Sequence, residues 1–172
     1  MADRSQSSGA TQGDARFEDG GPASDMPLFI KAMDAASLPV ISALVQDAVY
    51  PITEMRIQKT KRRFAALINR FRWEDADAAR AEGRPFERVQ SLLLVEDMIG
   101  AKTTGIDRSD PDLVLSLLSI GFEPGEDGTG RLILTLAGDG AVALDVECLD
   151  VSLRDVTRPY AAPSGKAPRH DV

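Results

Sequence analysis

The chain has one histidine and one cysteine among its 172 residues, and only 5% of those residues are aromatic. His170 falls in a Pro- and Lys-containing tail. Cys148 ends an alternating apolar run, with Val142, Leu144 and Val146 before it, that reads as a buried strand. These scarcities exclude Cys–His dyads, imidazole bases and His/Cys metal sites, which carry most recognisable enzyme chemistry. A single cysteine makes no internal disulfide, which fits a reducing compartment. No apolar run approaches the roughly 20 residues that cross a bilayer. The opening segment, MADRSQSSGATQGDARFEDGG, lacks the apolar stretch of a secretion signal. A cytoplasmic protein with no membrane contact and no cofactor is the expectation.

What is present is ordinary globular chemistry, 43% hydrophobic and 27% charged. Residues 1–26 are rich in Gly, Ser, Ala and Asp and bury too little to offset their ordering entropy, so a disordered extension is expected. Residues 27–158 form the expected single domain, about 130 residues and large enough for a real core. Residues 159–172 contain three prolines and read as an extended tail; if ordered, it must be held by contacts rather than by its own structure.

Leu28, Phe29 and Ile30 suggest a short strand. Leu38, Ile41, Leu44 and Val45 recur at helical spacing, with Asp34 as N-cap candidate, Pro39 in the first turn and Tyr50-Pro51 as the stop. EMRIQ and RFAALINRFRW flank a short polar connection and predict a hairpin. A loop at Thr60-Lys61 places Met55 and Ile57 on one face with Phe64, Ala66 and Ile68. The pattern then reverses, with Leu67, Phe71 and Trp73 apolar on the other face, which suggests a bulge or one end passing beyond the sheet it began in. WEDADAARAEGRP is a loop or a short surface helix. LVLSLLSIGF is apolar on both faces, as a central strand or a buried helix would be. RLILTL and AVALDVEC flank an Asp-Gly turn and make the clearest hairpin. Beyond Cys148 the phase slips, which fits a bulge or a change to helix. The expected class is α+β: one early helix and a predominantly antiparallel sheet of about seven strands, curled into a barrel or sandwich.

Charge is unevenly spread. Residues 54–88 hold ten Lys/Arg against six Asp/Glu, whereas residues 89–156 hold four against thirteen. The hairpin concentrates Arg56, Lys59, Lys61, Arg62, Arg63, Arg70 and Arg72, with Phe64, Phe71 and Trp73 interleaved. Arg56, Lys59, Lys61, Arg62, Arg63, Arg70, Arg72 and Trp73 are therefore the candidate binding residues. They could grip phosphates and stack bases, dock an acidic protein, or dock the chain's own acidic half. A solvated basic turn over core aromatics is the simpler reading. The acidic loops DRSDPD and EPGEDGTG lack the calcium-loop register, and loop carboxylates beside Pro and Gly serve turns more often than metals. No catalytic residue and no metal ligand emerges.

The segments NRFRWED (69–75), GIDRSDPDLVLSLLSIGFEPGED (105–127), AGDGAVALDVECL (137–149) and DVTRPYAAPSGKAPRHD (155–171) together carry a resemblance. The chain resembles a family of alphaproteobacterial proteins catalogued as a domain of unknown function, number 2948, over roughly residues 27–171. The resemblance implies a cytoplasmic bacterial protein of one domain and brings no catalytic or binding residues with it. Three readings follow in order: a non-enzymatic binding or adaptor domain presenting the basic hairpin to a protein partner or to another copy of itself; a nucleic-acid-binding accessory protein using the same hairpin; and, last, an enzyme relying on carboxylates or a metal. An exposed apolar patch beside Arg56, Arg70 and Arg72 would distinguish the first.

Overall fold

The computed structural model describes residues 26–169. The expected N-terminal extension, but for Met26, and His170 lie outside the described residues. In chain order the elements are β1 (Phe29–Ala32), α1 (Leu38–Val45), β2 (Ala48–Pro51), β3 (Met55–Gln58), β4 (Arg63–Phe71), α2 (Trp73–Glu82), β5 (Glu87–Val95), β6 (Met98–Thr104), β7 (Val114–Pro124), β8 (Gly130–Leu136), β9 (Ala141–Val146), β10 (Val151–Asp155) and β11 (Tyr160–Ala161). One antiparallel sheet contains all eleven strands in the order β1-β10-β5-β4-β2-β7-β8-β9-β6, with β3 beside β4 and β11 beside β5.

The class is α+β, as expected, but the sheet is not closed. No ladder joins the terminal strands β1 and β6, so it is not a closed barrel. Among the described residues there are eleven strands rather than about seven, and two α-helices rather than one. The additional strands are short pieces. A 3₁₀ turn, Ile52–Glu54, breaks one edge of β4 into β2 and β3. β10 and β11 likewise share one edge of β5.

Helix α1 ends at Val45, short of the expected Tyr50-Pro51, because Asp47 adopts the left-handed conformation (φ 60°) and turns the chain into β2. Asp34 does not cap the helix; its carboxylate accepts from the Ser37 amide (2.8 Å) in the turn before it. The Ser37 side chain, and after it this amide hydrogen bond, holds the Asp34 carboxyl below its ordinary pKa. α2 is the helix that the WEDADAARAE segment left open, and Gly83 (φ 65°) ends it as a left-handed cap.

Period-2 alternation buries one face of most strands. Phe64, Ala66 and Ile68 of β4, Leu93 and Val95 of β5, Leu132, Leu134 and Leu136 of β8, and Val142, Leu144 and Val146 of β9 share one core with Leu38, Ile41 and Val45 of α1. The hairpin faces are as expected, with Met55 opposite Ala66 and Ile57 opposite Phe64. The expected bulge in β4 is absent, since its pairing with β5 runs unbroken from Phe64↔Val95 to Phe71↔Arg88. Phe71 is instead buried on the opposite face by Trp73 (ring centroids 4.6 Å) and Phe86 (5.7 Å). A real shift lies in β7, between Leu117 and Ser119, and it lets Leu117 and Ile120 both reach the core.

In the β8–β9 hairpin the left-handed residues are Gly138 (φ 77°) and Asp139 (φ 63°), one position before the expected Asp-Gly pair. The phase slip after Cys148 is a turn that carries the chain from β9 to β10. Cys148 lies in that turn and is exposed, not buried in a strand. Among the described residues no helix is long and apolar enough to cross a membrane.

Tyr50 is 1% exposed, and burial pushes its phenol up to about 12. Its unfolded counterpart ionises near 10, so the folded state loses stability as pH rises from about 10 to 12. The urea midpoint of the wild type should therefore fall more between pH 9 and pH 11 than that of Tyr50→Phe, the difference being about 1 kcal/mol. Parallel declines in the two proteins would show that Tyr50 is not shielded.

Candidate functional site

The basic hairpin does not present its charges as one surface. Arg70 points inward from β4, is 0% exposed, and is fully engaged. Its Nε donates to Ser91 Oγ (3.0 Å) and to Asp155 Oδ1 (3.3 Å). Its Nη1 and Nη2 grip both oxygens of Glu74 (2.9 Å each), and Nη2 also reaches the Asp155 carboxylate (3.0 and 3.1 Å). Burial works against the guanidinium's charge, but Glu74 and Asp155 outweigh it and hold the pKa above its ordinary value. Ser91 donates to Asp155 Oδ1 (2.7 Å), and Asp155 Oδ2 accepts from the Leu28 amide (3.0 Å). One guanidinium therefore ties β4 to β5, β10, α2 and the start of β1.

Arg72, also buried, bonds Glu87 and lies 3.6 Å from Glu74 and 3.8 Å from Asp75. Arg84 pairs with Asp75 (3.1 Å) and with Glu82. Trp73 donates its indole N–H to the Gln46 carbonyl (2.9 Å) and serves packing. Toward the hairpin tip, Arg62 pairs with Glu147 (2.5 Å) and Arg63 with Glu96 (3.2 Å). The Met98 amide donates to the Arg62 carbonyl (2.9 Å), which ties the tip to β6. Three of the candidate arginines, Arg62, Arg63 and Arg70, thus meet carboxylates from the chain's own acidic half. Arg56 donates to the Thr53 and Met55 carbonyls. Arg56, Lys59 and Lys61 are exposed, with no carboxylate at ion-pair distance among the described residues.

The remaining reactive groups are committed elsewhere. Cys148 donates to Asp97 Oδ2 (3.1 Å), and this bond, with some burial, raises its thiol pKa. Asp107 accepts from the Ser109 amide (3.0 Å) and hydroxyl (2.5 Å), which lowers its pKa, and Asp110 accepts from the Asp112 amide (3.0 Å). DRSDPD is thus a pair of side-chain-capped turns. Among the described residues no three His, Cys, Asp or Glu side chains stand close enough to hold a metal ion.

What the side-chain pattern did not reveal is the sheet's outer face. Leu67 of β4 lies directly opposite Leu92 of β5, and Ala65 opposite Leu94. Both rows continue across β10 to β1: Leu92 to Arg154 to Phe29, and Leu94 to Ser152 to Lys31. On the other side Arg56 of β3 faces Ala65. Leu67, Leu92 and Leu94 are half-buried, while Phe29 (55%) and Val114 (61%) stand exposed at either end. Helix α1 packs into the core on the opposite side, and on this face Leu67, Leu92 and Leu94 stay part-exposed among the described residues, whereas Phe71 at its end is covered by Trp73 and Phe86. Two depressions mark it. One, of about 290 Å³, lies over Leu92 and Leu94 beside Phe29 and Arg154. The other, of about 230 Å³, opens where the 3₁₀ turn leaves β4, between Leu67, Asn69, Val49 and Val114. The available signal was SLLLV, apolar at consecutive positions where a one-faced strand would alternate.

The fold and this surface define an α+β protein with a part-exposed, partly apolar sheet face and, among the described residues, no cluster of three metal-ligating side chains. The chain belongs to the family described as "Protein of unknown function (DUF2948)", whose model matches residues 28–170. No curated protein and no solved structure matches it.

Removing Arg70 strands the buried Asp155 carboxylate and leaves the part-exposed Glu74 without its bidentate partner. Arg70→Leu should therefore cost about 3–5 kcal/mol in urea unfolding. Arg62→Leu, which breaks a solvent-screened pair, should cost far less. Comparable losses from the two would show that the Arg70 cluster is not the anchor its burial indicates.

Proposed function

We propose that the protein is a non-enzymatic binding module, acting in a bacterial cytoplasm, that holds a protein partner on the outer face of β3, β4, β5, β10 and β1. The observation that carries the reading is the cross-strand ladder of Leu67, Leu92, Leu94 and Phe29, left part-exposed on a sheet whose other face is packed. Apolar contacts without a covering layer are what an interface core requires, and polar or charged neighbours supply its rim. Arg56 borders this face opposite Ala65 and contributes to the rim, with the exposed Lys59 and Lys61 in the turn beyond it. Arg70 and Arg72 support the scaffold and do not meet the partner.

The reading is tested by affinity capture from the native cells, followed by reconstitution with the purified partner. Leu92→Glu should weaken the reconstituted complex at least tenfold, whereas Lys102→Glu, on the far strand β6, should leave it unchanged. Loss with neither variant, or recovery of nucleic acid alone, would overturn the reading. A concentration-dependent dimer abolished by Leu92→Glu would assign the face to self-association instead.

A further inference from the structure

We infer that the partner's contact is an acidic segment carrying two large apolar side chains, one for each depression on the outer face. This rests on the binding-module reading and names the chemistry of what is bound. The depressions share one face and lie about two strand spacings, roughly 10 Å, apart across the sheet. The first has an aliphatic floor, Leu92 and Leu94, with the Phe29 ring as its wall. The second is walled by Val49, Pro51, Leu67 and Val114, with the Asn69 and Gln90 amides at its side and the exposed Glu54 carboxylate at its rim, so the acids of the segment lie away from this depression. Each has room for a side chain and not for a folded element, so a single segment with two spaced anchors fits both.

Charge selects the sign of that segment. Arg154 stands 4.6 Å over the Phe29 ring, and Arg56 flanks Ala65 on the opposite side of the ladder. Neither has a carboxylate at ion-pair distance among the described residues. Lys31 and Arg63 are already matched, by Asp150 (3.2 Å) and Glu96 (3.2 Å). The unmatched cations on the two flanks of the ladder attract acids placed on either side of the apolar anchors.

Other occupants fit less well. A second copy, related by a two-fold axis, would set this face against itself and bring its unmatched arginines toward like charge. Residues 1–25 offer, apart from Met1, only Phe17 as a sizeable apolar side chain, one anchor where two are needed. For a nucleic acid this side of the sheet offers two exposed rings at its margins, Phe29 and Tyr160 opposite Arg88, and an aliphatic centre in place of a continuous stacking platform.

The full-length protein should be used to select binders from a displayed library of random 16-residue peptides, with Leu92→Glu as the counter-selection. The enriched peptides are expected to be net acidic with two large apolar residues. Their Kd should rise at least tenfold on Arg56→Glu/Arg154→Glu and change less than twofold on Lys102→Glu. Circular dichroism and thermal midpoints check that each variant is folded. Enriched peptides that are neutral or basic, or that tolerate the double charge reversal while still requiring Leu92, would overturn the acidic segment and leave the face as a binding surface. Peptides indifferent to Leu92→Glu, or no enrichment over the counter-selection, would remove both. A labelled 20-nucleotide single strand that binds the wild type and is lost on the charge reversal would overturn the inference in favour of nucleic acid.

Discussion

Arg70 is a guanidinium with no exposed surface, and a charge taken out of water needs nearly every donor satisfied. Its planar fork meets Glu74 with two parallel bonds, leaving Nε and one side of Nη2 for Ser91 and Asp155. Those partners come from α2, β5 and β10, so the bonds form together only when all three elements stand in one arrangement around β4. Asp155 then extends the constraint by accepting the Leu28 amide, which sets where β1 begins. The apolar core drives collapse without direction. This cluster supplies direction at the junction where β4 leaves the sheet for α2 and where β10 ends.

The same cluster explains where the amino-acid pattern was legible and where it was not. The β8–β9 hairpin was readable because its leucines and valines alternate strictly and both strands bury one face. In β4 the alternation holds through Ile68, and the next inward position is Arg70. A buried arginine is indistinguishable by pattern from an exposed one, so the strand looked as though it had changed faces. Helix α1 was extended too far for a related reason: Ala48 falls three residues after Val45 and continues the helical stripe. What stops the helix is the left-handed Asp47, a conformation that nothing in its type requires.

The charge separation along the chain also has a largely internal answer. Arg62, Arg63 and Arg70 lie in the basic stretch, and Glu147, Glu96 and Asp155 in the acidic one; folding brings each pair together. Many of the remaining acids shape turns. Asp97, Asp127 and Asp139 occupy left-handed positions where a short polar side chain is tolerated, and Asp107 and Asp110 cap the turn before β7. Part of the acid-rich half is therefore spent on tight reversals. Acidity of this kind carries no implication of metal binding.

Once those internal pairs are removed from the account, the surface that remains differs from the one the residue pattern suggested. Position along the chain grouped seven cations in one hairpin. Position in space divides them into a buried scaffold, a pinned tip and a small exposed remainder, while Arg154, nearly a hundred residues later, joins Arg56 at the edges of the same face. The apolar part of that face comes from β4 and β5, which are joined by the sheet's longest unbroken register on this side. Their inner residues are fixed by the core and their backbones by the ladder, so Leu67, Leu92 and Leu94 are held rigidly whether or not anything covers them. A surface pre-set in this way loses little side-chain entropy on binding. That is why the part-exposed leucines of the most constrained strands, more than the solvent-exposed lysines of the hairpin, are where affinity for a partner would reside.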